Sequence, residues 1–305
     1  MGVLSRVGRR EWLLLLGSVL LTLTVAELVL RVGEPSATYD LMYRPSDDPV
    51  LGVELAQGAD FEFDGLDVLI PPTRIRTGAQ GHRGPDVAIP KPPGRRRVVC
   101  IGDSMTFGWG VEHKDTFCAR LAPSLGPEWD AVNLGVPGYN TVQEVRMLEL
   151  RGLVYEPDLV VMLFNGSDLE PPIDHGDAGG TWAWLVDHSA ILRRVHRAFR
   201  GSEEDHTDAG RTAEPDFAPA VAAVAQLGKL GREHGFDSIL LSFSDFGGRQ
   251  ALKEAAQTAG LVTGEAGPDF AGRDAELIIP GDGHPNARGH EVILARLLAL
   301  VATLD

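Results

Sequence analysis

The chain is poor in cysteine and in basic residues. Its 305 residues include two cysteines, and 28 lysines and arginines stand against 43 aspartates and glutamates, which gives a formal net charge of −15. We expect no nucleic-acid partner, because contacts to phosphate need clustered Lys and Arg. No cluster of Cys and His has the spacing of metal ligands, so the sequence predicts neither a metal nor a cofactor. The 44% apolar content excludes a disordered chain and is enough for a packed core.

The two cysteines permit at most one disulfide. Cys100 lies on a predicted strand, and Cys118 lies on the helix predicted after it. We interpret them as two buried thiols that act as small hydrophobic side chains. An extracytoplasmic compartment would allow a bridge between them without requiring one.

A long apolar run stands near the N-terminus. Arg6, Arg9 and Arg10 precede residues 12–30, which are almost wholly apolar. A helix of this length rises about 28 Å, close to the hydrocarbon thickness of a bilayer. The basic residues before the run predict a single-pass protein of the cell membrane, with its N-terminus inside and the rest of the chain outside. We favour a retained anchor over a cleaved signal peptide or a buried soluble helix, because the run has no clean small-x-small cleavage site. Glu27 would then lie near the outer interface.

Residues 34–96 are rich in Pro, Gly and Asp. Short alternating pieces at 60–63 and 68–70 predict an irregular or hairpin extension without a core large enough to fold alone. The sequence therefore predicts three parts. They are a cytoplasmic tip and membrane anchor at 1–33, the extension at 34–96, and an α/β domain at 97–305.

Strands and helices alternate from residue 97 onward. We predict strands at 97–101, 130–134, 157–164 and 238–243. We predict helices at 116–125, 141–150, 182–199, 217–234 and 290–304, with a polar loop at 201–214. The strand at 157–164 is almost continuously apolar, as expected of a central parallel strand. This alternation is typical of a doubly wound sheet with helices on both faces.

The first of these strands ends in Gly102-Asp103-Ser104. A parallel strand delivers such a serine to the carboxyl edge of the sheet, where open α/β proteins hold their reactive groups. A serine hydroxyl acts as a nucleophile only beside a general base and an oxyanion hole. His284 is the candidate base, because it stands on a loop just before the last helix. The carboxylate of Asp282 could hold its ring in the required tautomer.

An oxyanion hole needs hydrogen-bond donors aimed at one point. The backbone N–H of Ser104, at the start of its helix, is the first candidate. Gly138, in a Pro-Gly turn after the second strand, could present a second N–H with no side chain in the way. A third donor should follow the strand at 157–164, where Asn165 and Ser167 compete. Residues two apart share a face of an extended chain, so either or both could donate.

Four sequence blocks together resemble the GDSL, or SGNH, hydrolase family over residues 97–305. They are Gly102-Asp103-Ser104, the stretch 133–138, Asn165-Gly166-Ser167-Asp168 and the stretch 281–286. The resemblance implies Ser104 as nucleophile, Gly138 as oxyanion donor and His284 as general base, on a flavodoxin-like three-layer α/β/α sandwich. The segment Gly81-His82-Arg83-Gly84 and the N-terminal apolar run are similar to a membrane-tethered bacterial branch of that family.

The chain departs from the family pattern at two positions. The third block usually reads Gly-x-Asn-Asp, which puts Ser167 where the oxyanion asparagine belongs. A serine hydroxyl donates with freer orientation than an amide, and losing a donor outright costs about 3 kcal/mol of transition-state stabilisation. The family also carries Asp-x-x-His, one residue longer than the interval from Asp282 to His284. Either Asp282 or a backbone carbonyl would then orient His284.

These observations predict a serine esterase or acyl hydrolase on the outer side of a membrane. Its substrate would be an ester-bearing small molecule, a lipid or a glycan, such as O-acetyl groups of envelope glycans. A second hypothesis is an O-acyltransferase that modifies a cell-surface polysaccharide, which an acceptor groove covered by residues 34–96 would favour. A third is a catalytically silent glycan-binding module, which the altered third block motivates.

Overall fold

The computed structural model describes residues 8–32, 39–63, 70–170, 189–192, 216–243 and 249–304. The chain forms two compact units. The first comprises residues 1–36 and 177–210, and the second comprises residues 37–176 and 211–305. The expected division between an extension and an α/β domain, near residue 97, therefore falls inside the second unit.

The first unit contains the apolar helix α1 (Arg9–Val32). Among the described residues, α1 is the one helix long and apolar enough to cross a membrane. The Glu27 carboxylate, which interrupts its apolar run, accepts hydrogen bonds from the N–H groups of Ala190 and Ile191 at 2.9 and 3.2 Å. The expected helix at 182–199 lies outside the described residues except for 189–192, and the expected loop at 201–214 lies wholly outside them.

The second unit begins with two hairpins and continues with alternating strands and helices. Its described strands are β1 (Tyr43–Pro45), β2 (Val53–Leu55), β3 (Asp60–Phe63), β4 (Thr73–Arg76), β5 (Arg96–Ile101), β6 (Trp129–Asn133), β7 (Leu159–Phe164), β8 (Asp237–Ser242) and β9 (Val262–Glu265). Its described α-helices are α2 (Tyr39–Met42), α3 (Ser104–Phe107), α4 (Phe117–Leu125), α5 (Thr141–Met147), α6 (Ala218–His234), α7 (Arg249–Thr258), α8 (Gly267–Phe270), α9 (Asp274–Leu277) and α10 (Ala287–Val301).

Five parallel strands form the central sheet in the order β6-β5-β7-β8-β9. Side chains alternate along β5, so that Val99 and Ile101 pack on the side of α5 and α6. Val98 and Cys100 pack on the opposite side, with α4 and α10. The expected three-layer α/β/α sandwich is thereby confirmed. The chain leaves β5 for β6 on one side and returns to β7 on the other, and open α/β sheets bind ligands at such a switch point.

The hairpins β1–β2 and β3–β4 lack a separate core. Their buried Leu55 and Ile75 belong to the same apolar cluster as Ile101 of the central sheet. Beyond β4, the N–H of Arg83 donates to the carbonyl of Asn133 at 2.9 Å and attaches the chain to the edge of β6. Two-stranded hairpins bury too little apolar surface to be stable alone, which explains why this segment packs on the sheet.

The elements that the sequence pattern missed are short or polar. β9 has four residues, all half-buried, and lies at the edge of the sheet beside β8. Four residues are too few to establish an alternating pattern. The helix expected at 141–150 ends as an α-helix at Met147 and continues as a π turn, Leu148–Gly152. The expected strand at 60–63 is β3, whereas most of the piece at 68–70 lies outside the described residues.

The two cysteines form a disulfide, so the interpretation as two separate thiols was wrong. Cys100 lies on β5 and Cys118 lies on α4, with their Cα atoms 6.2 Å apart. Both side chains are buried between the sheet and this helix. The alternation of β5 turns Cys100 toward α4, and this proximity depends on how the helix packs on the sheet.

Candidate active site

Ser104 stands at the carboxyl end of β5, where the strand turns sharply into α3. The turn passes through Gly102, whose φ of 153° and contacts demand glycine: an added Cβ would lie 2.1 Å from the Thr106 hydroxyl oxygen. Asp103 caps the helix, since its Oδ1 accepts a hydrogen bond from the N–H of Met105 at 2.8 Å. Ser104 is therefore the first residue of α3, and its hydroxyl lies at the switch point of the sheet.

His284 reaches this serine from the loop before α10. Its Nε2 lies 2.8 Å from the Ser104 hydroxyl oxygen, across 180 residues of sequence. Its Nδ1 lies 2.6 Å from Oδ1 of Asp282, which also accepts the backbone N–H of His284 at 3.2 Å. An ionised carboxylate only accepts, so the ring proton belongs on Nδ1 and leaves Nε2 to accept from the serine hydroxyl. The short Asp-x-His interval thus permits a carboxylate–imidazole–hydroxyl chain.

Gly138 lies in the loop after β6, with a φ of 85° that favours glycine. This loop runs beside the Ser104 turn, because the N–H of Val136 donates to the carbonyl of Gly102 at 3.0 Å. The backbone N–H groups of Ser104 and Gly138 have no acceptor among the residues that the structure describes. Both groups are therefore available to a negatively charged oxygen at this edge of the sheet.

Asn165 and Ser167 follow β7 and both turn toward Asp103. The Asn165 amide nitrogen donates to Asp103 Oδ2 at 2.9 Å, and the Ser167 hydroxyl lies 3.2 Å from the same oxygen. The Ser167 hydroxyl also contacts Asn165 Oδ1, and its single hydrogen serves one of these two acceptors at a time. Ser104 Oγ lies 3.4 Å from Asp103 Oδ2. The structure thus gathers both competing donors around the residue that precedes Ser104.

Two further carboxyl groups, those of Asp168 and Glu144, are buried near this site. The sequence reasoning did not identify either of them as a buried titratable group. Asp168 Oδ2 accepts the N–H of Asn165 at 2.8 Å. Burial, together with the negative charges of Glu144 and Asp103, holds the pKa of Asp168 well above its usual range. Burial and the charge of Asp103 likewise raise the pKa of Glu144. Neither carboxyl oxygen of Glu144 has a hydrogen-bond partner among the described residues.

A sequence signal for Glu144 does exist. It lies one helical turn from Thr141 of α5 and from Leu148 of the π turn that follows, on the face that these buried residues share. A glutamate on the apolar face of a helix is buried when that face packs on the sheet. Glu144 is buried in this way.

Trp109 is the other neighbour of the site that the sequence did not reveal. Its buried indole lies 6.5 Å from the His284 ring, measured between ring centroids. Phe63 of β3 lies 4.8 Å from the same indole. The hairpin β3–β4 therefore supports an aromatic side chain beside the imidazole.

The chain matches a known protein family over the region that contains Ser104 and His284. Residues 100–292 match the GDSL-like lipase/acylhydrolase family, and the match spans more than half of the chain. The chain belongs to this family. The family predicted from the four sequence blocks is confirmed, and with it the assignment to ester-hydrolysing enzymes. No curated protein matches the chain.

Solved structures with a similar fold include several esterases. A two-domain esterase active on acetylated mannans is 16% identical, with a TM-score of 0.45, and the match covers 68% of this chain and 49% of that one. An acetyl xylan esterase is 12% identical, with a TM-score of 0.45 and coverage of 67% and 99%. A catalytic mutant of an acetylxylan esterase from Geobacillus stearothermophilus is 13% identical, with a TM-score of 0.44 and coverage of 69% and 96%. The chain spans about half the length of the two-domain esterase.

Proposed function

We propose that this protein is a membrane-anchored serine esterase, with Ser104 as nucleophile, His284 as general base and Asp282 as the residue that orients and stabilises the imidazole. The observation that carries the proposal is the unbroken chain of hydrogen bonds from Asp282 through His284 to the Ser104 hydroxyl. A hydroxyl, a base within hydrogen-bond reach and a carboxylate on the far ring nitrogen form the constellation that activates serine.

In the first half of the reaction, Ser104 Oγ attacks the carbonyl carbon of the ester as its proton passes to His284 Nε2. The carbonyl oxygen becomes an oxyanion, which the N–H groups of Ser104 and Gly138 stabilise. Collapse of this intermediate breaks the bond to the alcohol oxygen, which takes the proton from Nε2 and departs. In the second half, His284 removes a proton from water, which attacks the acyl-serine; the second intermediate then expels Ser104 Oγ, which takes the proton from Nε2 as the carboxylic acid is released.

We assign the third oxyanion donor to Asn165 or Ser167, with Asn165 favoured. Asp103 holds one N–H of the Asn165 amide, which fixes the plane of the group and leaves its second N–H to donate elsewhere. The Ser167 hydroxyl has one hydrogen, and Asp103 and Asn165 both compete for it. A fixed amide is the better preorganised donor of the two.

We infer that the enzyme is anchored by α1 and acts outside the cytoplasm. The length and apolar character of α1 support an anchor. The contacts of Glu27 with residues 189–191 support its retention, because they make α1 part of a folded unit. The Cys100–Cys118 bridge supports an oxidising compartment. Substrates reachable from there include O-acyl groups of envelope glycans and lipids and small diffusible esters.

A second candidate function is O-acyl transfer to a cell-surface polysaccharide. The contact of Phe63 with Trp109 favours it, because a hairpin that holds an indole beside the imidazole could help exclude water from the acyl-serine. The two functions share the acyl-enzyme and differ in the acceptor. Release of free acetate from an acetyl ester in the presence of a glycan acceptor would identify hydrolysis, whereas acetylated glycan would identify transfer.

Covalent labelling tests the nucleophile. A fluorophosphonate probe is incubated with the full-length protein in detergent, and mass spectrometry locates the adduct. We expect the adduct on Ser104, with no label in Ser104→Ala and at least a hundredfold slower labelling in His284→Ala. A folded wild-type protein that neither labels nor turns over an aryl acetate would refute the proposed role of Ser104 and favour the silent binding module.

A further inference from the structure

We propose that Arg83, which lies outside the four family blocks, is a positioning residue that holds α3 and thereby Ser104 in the reactive geometry. The inference rests on the proposed function of Ser104. It assigns to the segment before β5 a direct part in the geometry of the site.

The helix α3 cannot hold its own position. It has four residues, from Ser104 to Phe107, and one turn of helix is unfavourable in isolation. Asp103 caps its amino end, as described above. Its last carbonyl groups have no partners within the helix and need donors from elsewhere, as at every helix end.

Arg83 supplies these donors at the carboxyl end. Its Nη1 donates to the carbonyls of Phe107 and Gly108 at 2.5 and 2.6 Å, and its Nη2 donates to that of Val111 at 2.5 Å. The guanidinium also lies over the Phe107 ring, 4.2 Å from the ring centroid. A planar fork with several fixed donors can bind three carbonyls and stack on a ring at once, which an ammonium group cannot do.

The Arg83 side chain is fully buried, and no acidic residue among those described forms an ion pair with it. Backbone carbonyls are therefore its hydrogen-bond partners, and the negative charge of Glu112 also favours the charged guanidinium. A cation is favourable at the carboxyl end of a helix, where the carbonyl dipoles point outward. Burial lowers the pKa of Arg83 to about 9, which still leaves the guanidinium charged at neutral pH.

Arg83, which binds the carboxyl end of α3, is itself attached to the sheet. The Arg83 N–H donates to the carbonyl of Asn133 at the end of β6. The Asn133 amide in turn donates to the carbonyl of Thr106 at 2.8 Å, so both residues grip the last turn of α3. The helix is thus fixed at its amino end by Asp103 and at its carboxyl end by Arg83 and Asn133.

The segment whose carbonyls Arg83 binds, residues 107–111, also reaches the imidazole of His284. Trp109 lies between Gly108 and Val111, whose carbonyls Arg83 binds, and its indole packs beside His284. Loss of the guanidinium fork would free this loop together with the end of α3. The serine hydroxyl and the aromatic neighbour of the base would then shift relative to each other. A displacement of about 1 Å in an active site can lower the rate about a hundredfold.

Arg97 is the control, and it differs from Arg83 in having an ion pair, with Asp130 at 3.5 Å. This arginine is equally buried and also donates to backbone carbonyls, those of Tyr155 and Ala88, at 2.9 and 3.0 Å. It lies near the amino end of β5, at the opposite edge of the sheet from Ser104. Replacing either arginine by lysine removes a buried guanidinium that binds carbonyls, but only Arg83 contacts the segment that follows Ser104.

The experiment compares Arg83→Lys, Arg83→Gln and Arg97→Lys with the wild type, all as full-length protein. Three quantities are measured: the midpoint of thermal unfolding, the rate of fluorophosphonate labelling, and kcat and KM for an aryl acetate. We expect all three variants to unfold at lower temperature. We expect labelling and kcat to fall about a hundredfold in the Arg83 variants with KM little changed, and to stay within about threefold of wild type in Arg97→Lys.

Three other results would overturn the positioning role of Arg83, and a fourth would refute the proposed function of Ser104. Arg83 variants that label at the rate of Arg97→Lys would overturn the positioning role, and so would a loss shared equally by all three variants. If both Arg83 variants unfold where Arg97→Lys stays folded, Arg83 serves folding as a whole and the positioning role is likewise overturned. A folded wild type that does not label refutes the proposed function of Ser104 and is thereby distinguished from failure of this inference alone.

Discussion

At the scale of single residues, Glu144 is the side chain whose burial has the clearest consequence for stability. Its pKa is raised above the unfolded value of 4.5 by burial and by the charge of Asp103. A raised folded pKa means that the stability from Glu144 is fully present below pH 4.5 and is lost as the pH rises toward the folded pKa. The folded state binds the proton more tightly, so unfolding becomes easier by up to about 1.4 kcal/mol per pH unit in that window.

We therefore expect Glu144→Gln to reduce the fall in free energy of unfolding as the pH rises. The variant should have a higher free energy of unfolding than the wild type near pH 8 and a similar or lower one near pH 4, because the amide does not titrate. Denaturant unfolding at a series of pH values measures the difference. Glu254→Gln, at an exposed position on α7, is the control and should follow the wild type throughout. Parallel curves for Glu144→Gln and wild type would contradict the expectation.

Asn165 and Ser167 offer a second test at this scale. We expect Asn165→Ala to lower kcat for an aryl ester about a hundredfold, because the fixed amide is lost from the transition state. Ser167→Ala should cost less, since its hydroxyl hydrogen is shared between Asp103 and Asn165. Thermal unfolding checks that neither change acts through stability. Equal and negligible effects of both variants would mean that backbone N–H groups alone form the hole, and a larger effect of Ser167→Ala would reverse the assignment.

At the scale of secondary-structure elements, the sheet and the helices that flank it are joined by more than packing. The disulfide ties β5 to α4 through two cysteines that are 18 residues apart in sequence. Closing a loop of this size in the unfolded chain reduces its entropy by an amount worth about 3 kcal/mol. The bridge lies on the α4 side of β5, at the strand that carries Ser104.

We expect the double variant Cys100→Ala and Cys118→Ala to lose about 2–4 kcal/mol in free energy of unfolding. Denaturant unfolding measures the loss, and addition of a reductant to the wild type should reproduce most of it. The same reductant should leave the double variant unchanged, which controls for effects on other parts of the chain. A wild type that shows two free thiols after reduction and is as stable as the oxidised protein would mean that the bridge is energetically neutral and would contradict the prediction.

At the scale of the whole molecule, the charges that flank the apolar run predict how the chain would be oriented in a membrane. Arg6, Arg9 and Arg10 precede it, and cytoplasmic segments retain such residues. We expect protease added to spheroplasts to digest the α/β domain while a cytoplasmic marker protein stays intact. Digestion only after lysis would reverse the orientation. A mature N-terminus beyond Leu30 would identify a cleaved signal instead of an anchor.

The sequence by itself determined the elements whose signal is local. The near-continuous apolar run of β7 and the shorter apolar run at the end of β5 identified buried parallel strands, because a strand covered on both faces needs apolar residues throughout. The same reasoning placed Ser104 at the carboxyl edge of the sheet. The apolar run of α1 likewise needs only its length and composition to suggest a membrane span.

Only the tertiary structure decided which distant residues meet. Ser104 and His284, which are in contact, are 180 residues apart in sequence. Arg83 and Phe107, which are joined by a hydrogen bond, are 24 residues apart. The burial of Glu144 and the pairing of Cys100 with Cys118 also depend on which helix packs on which face of the sheet. Side-chain periodicity specifies which face of each element is apolar, but it carries no information on which elements pack together.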